Sequence, residues 1–546
     1  MVKTQHSIFL LWKNSTFILL FLYVIFFIPS ASCEGIYTST AHGNSTAGVD
    51  RSVVTGSTYP YAKGNCAHCH EIHASLDGQE PQPPSPEGPT LFSLFRSNFG
   101  ANKNMLCFDC HENFKFGSYP FGYGRHGVYE GKTTYENSTH NLSTNMVWPD
   151  SSPPGPPIND PGNCVNCHNP HGYADANGLI PSMLFSREEN LCLACHDGSP
   201  VVKDVKTFIL TKTYRHQVNS YTNIHRPGIL GADEENRTYL SQNKHVECVD
   251  CHNPHAATQD NPIYRAPGVT PIYSSNAFWQ APSSYTETKV NSKIEEEYKV
   301  CFRCHSSYNQ NLAGWNSNWT DVALEFNPNN YSYHYVMGDI TTAAPLPPNG
   351  SGCNSYGPMA GSTQIPRASQ TYGNFNLTYI GMMEPSLAGK SNAEIRQAKL
   401  RCSSCHGPDN AGASGTPEGP HGSSYQFILK VPAGSPYNRW NSSVNYKNNK
   451  GTIWCFNCHD PNFTNTGFSR GNENLHLKEH DDRACQLCHT AIPHGWKRYR
   501  LLRFGNCDPS PYNRLGNSGL LSGVTWKTSG NWERSDCHRY ATGSGC

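Results

Sequence analysis

The stretch Cys164-Val165-Asn166-Cys167-His168-Asn169-Pro170-His171-Gly172, with Leu191-Cys192-Leu193-Ala194-Cys195-His196 shortly after it, places two C-x-x-C-H motifs on one short segment. In such a motif the two thiols add across the vinyl groups of a haem, and the adjacent imidazole stands under the ring as the proximal iron ligand. Pro170 and His171 follow the first motif at once and offer a second imidazole. It lies too near His168 in the chain to reach the far side of the same iron. His171 is therefore expected to serve a neighbouring haem.

Outward from this segment the motif occurs nine times, numbered here as sites one to nine. They are Cys66, Cys69 and His70; Cys107, Cys110 and His111; Cys164, Cys167 and His168; Cys192, Cys195 and His196; Cys248, Cys251 and His252; Cys301, Cys304 and His305; Cys402, Cys405 and His406; Cys455, Cys458 and His459; and Cys485, Cys488 and His489. Chance placement in a chain of this Cys and His content predicts on the order of 0.05 such motifs, so nine c-type haems with their irons are expected. Zinc ribbons also use paired C-x-x-C, but they do not require His after every pair.

The composition agrees with a cofactor-built interior. Of 546 residues only 36% are hydrophobic, with 47 Gly and 39 Pro, which is too few apolar residues for several ordinary cores. A porphyrin is a large apolar plate on which short coil-rich segments can close. The expected fold is a coil-rich multihaem cytochrome c with short helices and little sheet, its core a covalent haem stack. Lys plus Arg equals Asp plus Glu at 42 each, which gives no reason to expect nucleic acid as a partner.

Residues 1–33 read as an export signal, with Lys3 and Lys13 ahead of the apolar run Phe17 to Ile28 and small residues Ser30, Ala31 and Ser32 before Cys33. Lipidation at Cys33 is disfavoured by Ser30, where a bacterial lipobox usually has Leu. No other stretch is long enough to span a membrane, so the mature chain is expected outside the membrane, secreted or at the cell surface. Residues 34–500 form the haem region of four motif pairs plus one single site. Residues 501–546 form a tail, expected to be tied by disulfides.

The repeats also suggest the second ligand of each iron. His73, His171, His255, His421 and His494 follow the first motif of each pair and the last motif; four of these five are preceded by Pro. A second signature, Arg125-His126-Gly127-Val128, Arg215-His216-Gln217-Val218 and Tyr333-His334-Tyr335-Val336, follows the second motif of three pairs, and His476 takes the comparable place in the fourth. Together they supply one distal His per iron. His140, His225, His245 and His480 are the substitutes, and His68 lies inside a binding loop. Two imidazoles give iron a lower potential than a Met/His pair.

Five Cys lie outside the motifs: Cys33, Cys353, Cys507, Cys537 and Cys546. Disulfides are expected in an oxidising exterior, Cys507 with Cys537 and Cys353 with Cys546 being one of three connectivities open to four Cys. Glycosylation sequons recur at Asn137, Asn236, Asn318, Asn376 and Asn441.

CVNCHNPHG (164–172) through LCLACHDG (191–198) resembles the doubled C-x-x-C-H motif of multihaem c-type cytochromes of extracellular electron transfer, some of which polymerise into filaments, the cytochrome nanowires. The resemblance covers roughly residues 66–500. It implies a continuous row of closely stacked haems, an extracellular setting, a homopolymer, and a haem ligated by His of an adjacent subunit. The expected function is electron hopping along nine bis-His haems, with other redox proteins or extracellular acceptors as partners and no catalytic residue. Two alternatives stand beside it: a multihaem oxidoreductase with one open-coordination haem, and a non-polymeric cell-surface electron carrier.

Overall fold

The computed structural model describes residues 37–46, 48–52, 60–70, 104–111, 131–144, 161–176, 178–219, 245–309, 320–338, 352–357, 373–440, 446–505 and 507–513, with positions 521, 524 and 526. The signal segment, His73, His126, His225, Cys33, Cys537 and Cys546 lie outside the described residues.

Each motif closes one turn of helix. The His N–H donates to the carbonyl of the first Cys of its own motif, as in His70 to Cys66 at 2.8 Å, His168 to Cys164 at 3.0 Å, His406 to Cys402 at 2.9 Å and His489 to Cys485 at 2.9 Å. Residues three and four apart in a turn share a face. The C-x-x-C-H spacing thus points both sulfurs and the imidazole to one side. At sites one and three the turn is started by the same device: Gly64 and Gly162 sit at φ of 74° and 75°, and Asn65 and Asn163 accept the N–H of Ala67 and Val165. That is an N-cap on a one-turn helix.

Longer helices are few. Met105–His111 carries site two and Lys293–His305, the longest described at 13 residues, carries site six. All described sheets are two-stranded, and the rest is mostly coil, as the composition predicts. The apolar side chains form several small clusters. Motif cysteines pack at their edges: Cys402 beside Phe302 and Phe326, Cys405 and Cys458 beside Met383 and Trp454, Cys455 and Cys485 beside Ile453 and Phe456. Among the described residues no helix is long and apolar enough to cross a membrane.

The chain divides into two compact units, Met1–Lys115 with Asp150–Asn159 and Asn163–Arg187, and Phe116–Pro149 with Asp160–Gly162 and Glu188–Cys546. The first holds sites one to three, the second sites four to nine.

The disulfide differs from the expected pairing. Cys353 is bonded to Cys507, with Cα atoms 5.4 Å apart. The buried Arg498 brings the two segments together, donating to the Cys353 carbonyl at 2.6 Å and to the Asp508 carboxylate at 2.5 Å. Of the five sequons named above Asn137 and Asn376 are described, and Asn376 turns its amide nitrogen to the Phe456 carbonyl at 2.8 Å.

Candidate haem sites

Seven motif histidines each face a histidine from outside the motifs. In the first unit His70 lies 5.9 Å from His171 and His111 6.1 Å from His42, ring centre to ring centre. In the second unit the separations are 6.3 Å for His196 with His140, 6.0 Å for His252 with His421, 6.2 Å for His305 with His216, 5.9 Å for His406 with His494, and 6.2 Å for His459 with His334. Two imidazoles that share a metal in trans, each through a nitrogen about 2 Å from it, hold their centres roughly 6 Å apart. The seven couples fit an iron between each pair of rings.

The ring nitrogens are sorted in the same sense. Nδ1 of His168, His252, His406 and His489 donates to the carbonyls of Ser182, Pro262, Phe427 and Arg500 at 2.8–2.9 Å. A carbonyl only accepts, so Nδ1 carries the proton and Nε2 keeps the lone pair a metal needs. Burial pushes His196, His305, His406 and His459 down to about 4. At neutral pH these imidazoles are uncharged, the ligating form.

The outer His of each couple is held by a second repeat. His42 donates to the carbonyl of Pro170 at 3.1 Å, His140 to Pro254 at 2.8 Å, His216 to Pro420, and His334 to Pro493. Each acceptor is the proline of a Pro-His pair whose own His belongs to the distal set. At two of these places a small sheet fixes the register: Tyr214–Arg215 pairs with Gly422–Ser423, and Ser332–Tyr333 with Gly495–Trp496. The glycine after the Pro-His pair is required by contact, since a Cβ on Gly422 would stand 2.2 Å from the Phe208 carbonyl oxygen and one on Gly495 1.9 Å from that of Glu325.

Three of the four carbonyls that receive Nδ1 of a motif His lie in an unusual turn. Ser182-Met183, Phe427-Ile428 and Arg500-Leu501 are consecutive left-handed residues, with φ between 53° and 65°. The turn is locked on its far side, where Phe185, Lys430 and Arg503 donate their N–H to the carbonyls of Cys167, Cys405 and Cys488. Three sites share this construction without a glycine in the turn.

Several consecutive sites approach one another through their motif sulfurs. In the first unit the Cys107 and Cys164 thiols are within hydrogen-bond reach, and Cys69 lies in the electrostatic field of Cys107 and Cys110. In the second unit Cys301 meets Cys402, Cys455 meets Cys485, Cys251 lies by Cys301 and Cys304, and Cys458 by Cys405. Sites one to three in the first unit and sites five to nine in the second thus follow one another in space as in sequence.

Residues 156–200 match the family model of the doubled CXXCH motif. The match spans sites three and four and supports a multihaem c-type cytochrome with covalently bound haem. Comparison with curated proteins and with solved structures gives no match.

Within this doubled-motif framework the predicted distal His fall into groups. His171, His216, His334, His421 and His494 each face a motif His. His255 packs its ring edge-on to Tyr135 at 6.0 Å. His476 stacks on Phe463 at 4.6 Å and meets Phe468 at 4.9 Å, with its Nδ1 buried and unpartnered. Among the described residues no imidazole lies opposite His489 at the separation of the couples. His42 and His140 occupy places that the sequence did not give them, opposite His111 and His196. His68 is committed to the backbone, accepting from Arg51 N–H and donating to the Ala62 carbonyl at 3.1 Å each. His245 stands 3.5 Å from the buried Glu247 carboxylate.

Proposed function

We propose that this chain is an extracellular electron conductor in which nine bis-His c-type haems form a continuous row, and that copies of it join end to end into a filament. The observation that carries the reading is the set of seven His–His couples, each pairing one motif His with one outside His at 5.9–6.3 Å. A bound haem supplies reversible one-electron chemistry at iron, with its potential set by the axial ligands and surroundings. The motif cysteines would hold it covalently and each couple would supply two imidazoles to its iron, which favours electron passage over substrate binding. The carbonyls on Nδ1 keep each ring in one orientation and tautomer. His255 stays in the proposed ligand set on its Asn-Pro-His pattern.

Polymerisation is supported by a register rule. Three of the His that follow odd sites face the odd site two before them: His171 faces His70, His421 faces His252 and His494 faces His406. His73 follows site one, and among the described residues His489 at site nine faces no imidazole at the separation of the couples, although His476 lies within its electrostatic field. His73 of a second copy would complete site nine. The leader-like pattern of residues 1–33 and the Cys353–Cys507 bond, a pairing suited to an oxidising exterior, support an extracellular place.

The same observation at site nine favours a second reading, a multihaem oxidoreductase whose ninth iron accepts a small ligand. Intact mass and low-temperature EPR of the native protein separate them. The conductor predicts nine haems and low-spin bis-imidazole signals alone in the assembled form. A high-spin component that persists in filaments and binds a small ligand would establish the oxidoreductase instead.

A further inference from the structure

The outer His of site seven is held differently from four of the others. His42, His140, His216 and His334 donate to peptide carbonyls. His494, which faces His406, donates its Nδ1–H to a carboxylate, Glu325 Oε2, at 2.6 Å. Glu325 is fully buried, and its other oxygen, Oε1, accepts from the Tyr512 hydroxyl at 2.9 Å. Phe326 lies against the His494 ring at 5.1 Å and Gly495 packs on the Glu325 backbone, so neither group can turn away.

We infer that Glu325 is a tuning residue that makes the iron held by His406 and His494 harder to reduce than those of the carbonyl-bonded couples. This rests on the bis-His reading of site seven. A hydrogen bond to a carboxylate is charge-assisted and stronger than one to a neutral carbonyl. It draws the Nδ1 proton away from the ring, raises the electron density at Nε2 and stabilises the ferric state. In a dry interior the effect is not screened by water. Tyr512 opposes it by taking up part of the carboxylate charge. The row of sites is therefore not uniform in potential: site seven is a step that electrons cross rather than rest on.

The test is a spectropotentiometric titration of the full haem-loaded protein, with EPR on the same samples, for wild type, Glu325→Gln and Tyr512→Phe. Wild type must first show bis-imidazole low-spin signals; if it does not, the reading of the couples fails and not this inference alone. Glu325→Gln is expected to move one component of the titration, about one-ninth of the haem absorbance, to higher potential. The expected size is about tenfold in the redox equilibrium constant, which is about 59 mV for one electron. One low-spin EPR signal should move with it. Tyr512→Phe frees the carboxylate to accept more strongly and is expected to move the same component the other way. It also carries the test if Glu325→Gln does not fold. A titration and EPR spectrum unchanged in the variant that folds, or shifts of the same sign in both, would overturn the inference.

Discussion

The imidazole of His140 donates to the carbonyl of Pro254 at 2.8 Å while its ring stands 6.3 Å from that of His196. The same His is thus anchored by one Pro-His pair and turned toward the motif His of another site. His42 repeats this arrangement with Pro170 and His111.

If these two are axial ligands, His140→Ala and His42→Ala each convert one haem in nine to a high-spin or water-ligated form. Optical and EPR spectra of both variants check this, and spectra that stay wholly low-spin would contradict it.

The left-handed turn under site seven makes a separate prediction. Phe427 has φ of 65° and a half-exposed side chain. A β-branched residue tolerates that backbone poorly, so Phe427→Val lowers stability by roughly 1–2 kcal/mol, whereas Phe427→Gly leaves it close to wild type. Thermal unfolding of both variants measures the difference, and equal melting temperatures would contradict it.

Arg401 and Glu384 form a buried pair just before site seven, with contacts of 2.8 and 3.0 Å and a third donor, Ser404, at 2.6 Å. Burial alone would raise the Glu384 carboxyl, but the Arg401 bond and charge overcome it and hold the group below its usual range. Arg401→Met strands the carboxylate and costs about 3–5 kcal/mol at pH 7. A depressed native pKa stabilises above the unfolded value of 4.5 and is lost as pH falls through the native one. The deficit of the variant should accordingly shrink as pH falls through and below 4.5. Denaturant melts at pH 7 and in acid test both parts, and a deficit that is constant with pH would count against the assignment.

The Cys353–Cys507 bond closes a loop of 154 residues in sequence separation. Replacing both cysteines by Ala is predicted to lower stability by about 2–5 kcal/mol. Proteolysis of the segment around Arg498 and Asp508 under native conditions should increase. Unchanged melting and proteolysis would show that Arg498 alone holds the two segments.

Much of each site was legible because it is local. The three-and-four spacing of Cys164, Cys167 and His168 dictates one helical turn and a shared face, and a Pro-His pair directly after a motif marks a histidine with a fixed place. Partner choice was not legible, since His421 meets His252 and His494 meets His406 across long stretches of chain. His42 sits in a Gly, Ser and Thr-rich lead-in with no flanking pattern. His140 lies on the short helix Thr139–Leu142, whereas His216 and His334 follow strand residues. It therefore lacks the Arg-His or Tyr-His pattern that His126 displays. The paired left-handed residues escaped because none of Ser182, Phe427 and Arg500 is glycine, the usual sign of that backbone.

The most direct test of the row of bis-His sites is cryo-electron microscopy of the native extracellular protein with its haems. The expected map has iron midway between the rings of all seven couples, beginning with His70 and His171, and His73 of a second copy opposite His489 in a regular filament. Discrete particles with site nine open, or irons whose second ligand is not the facing imidazole, would contradict the account.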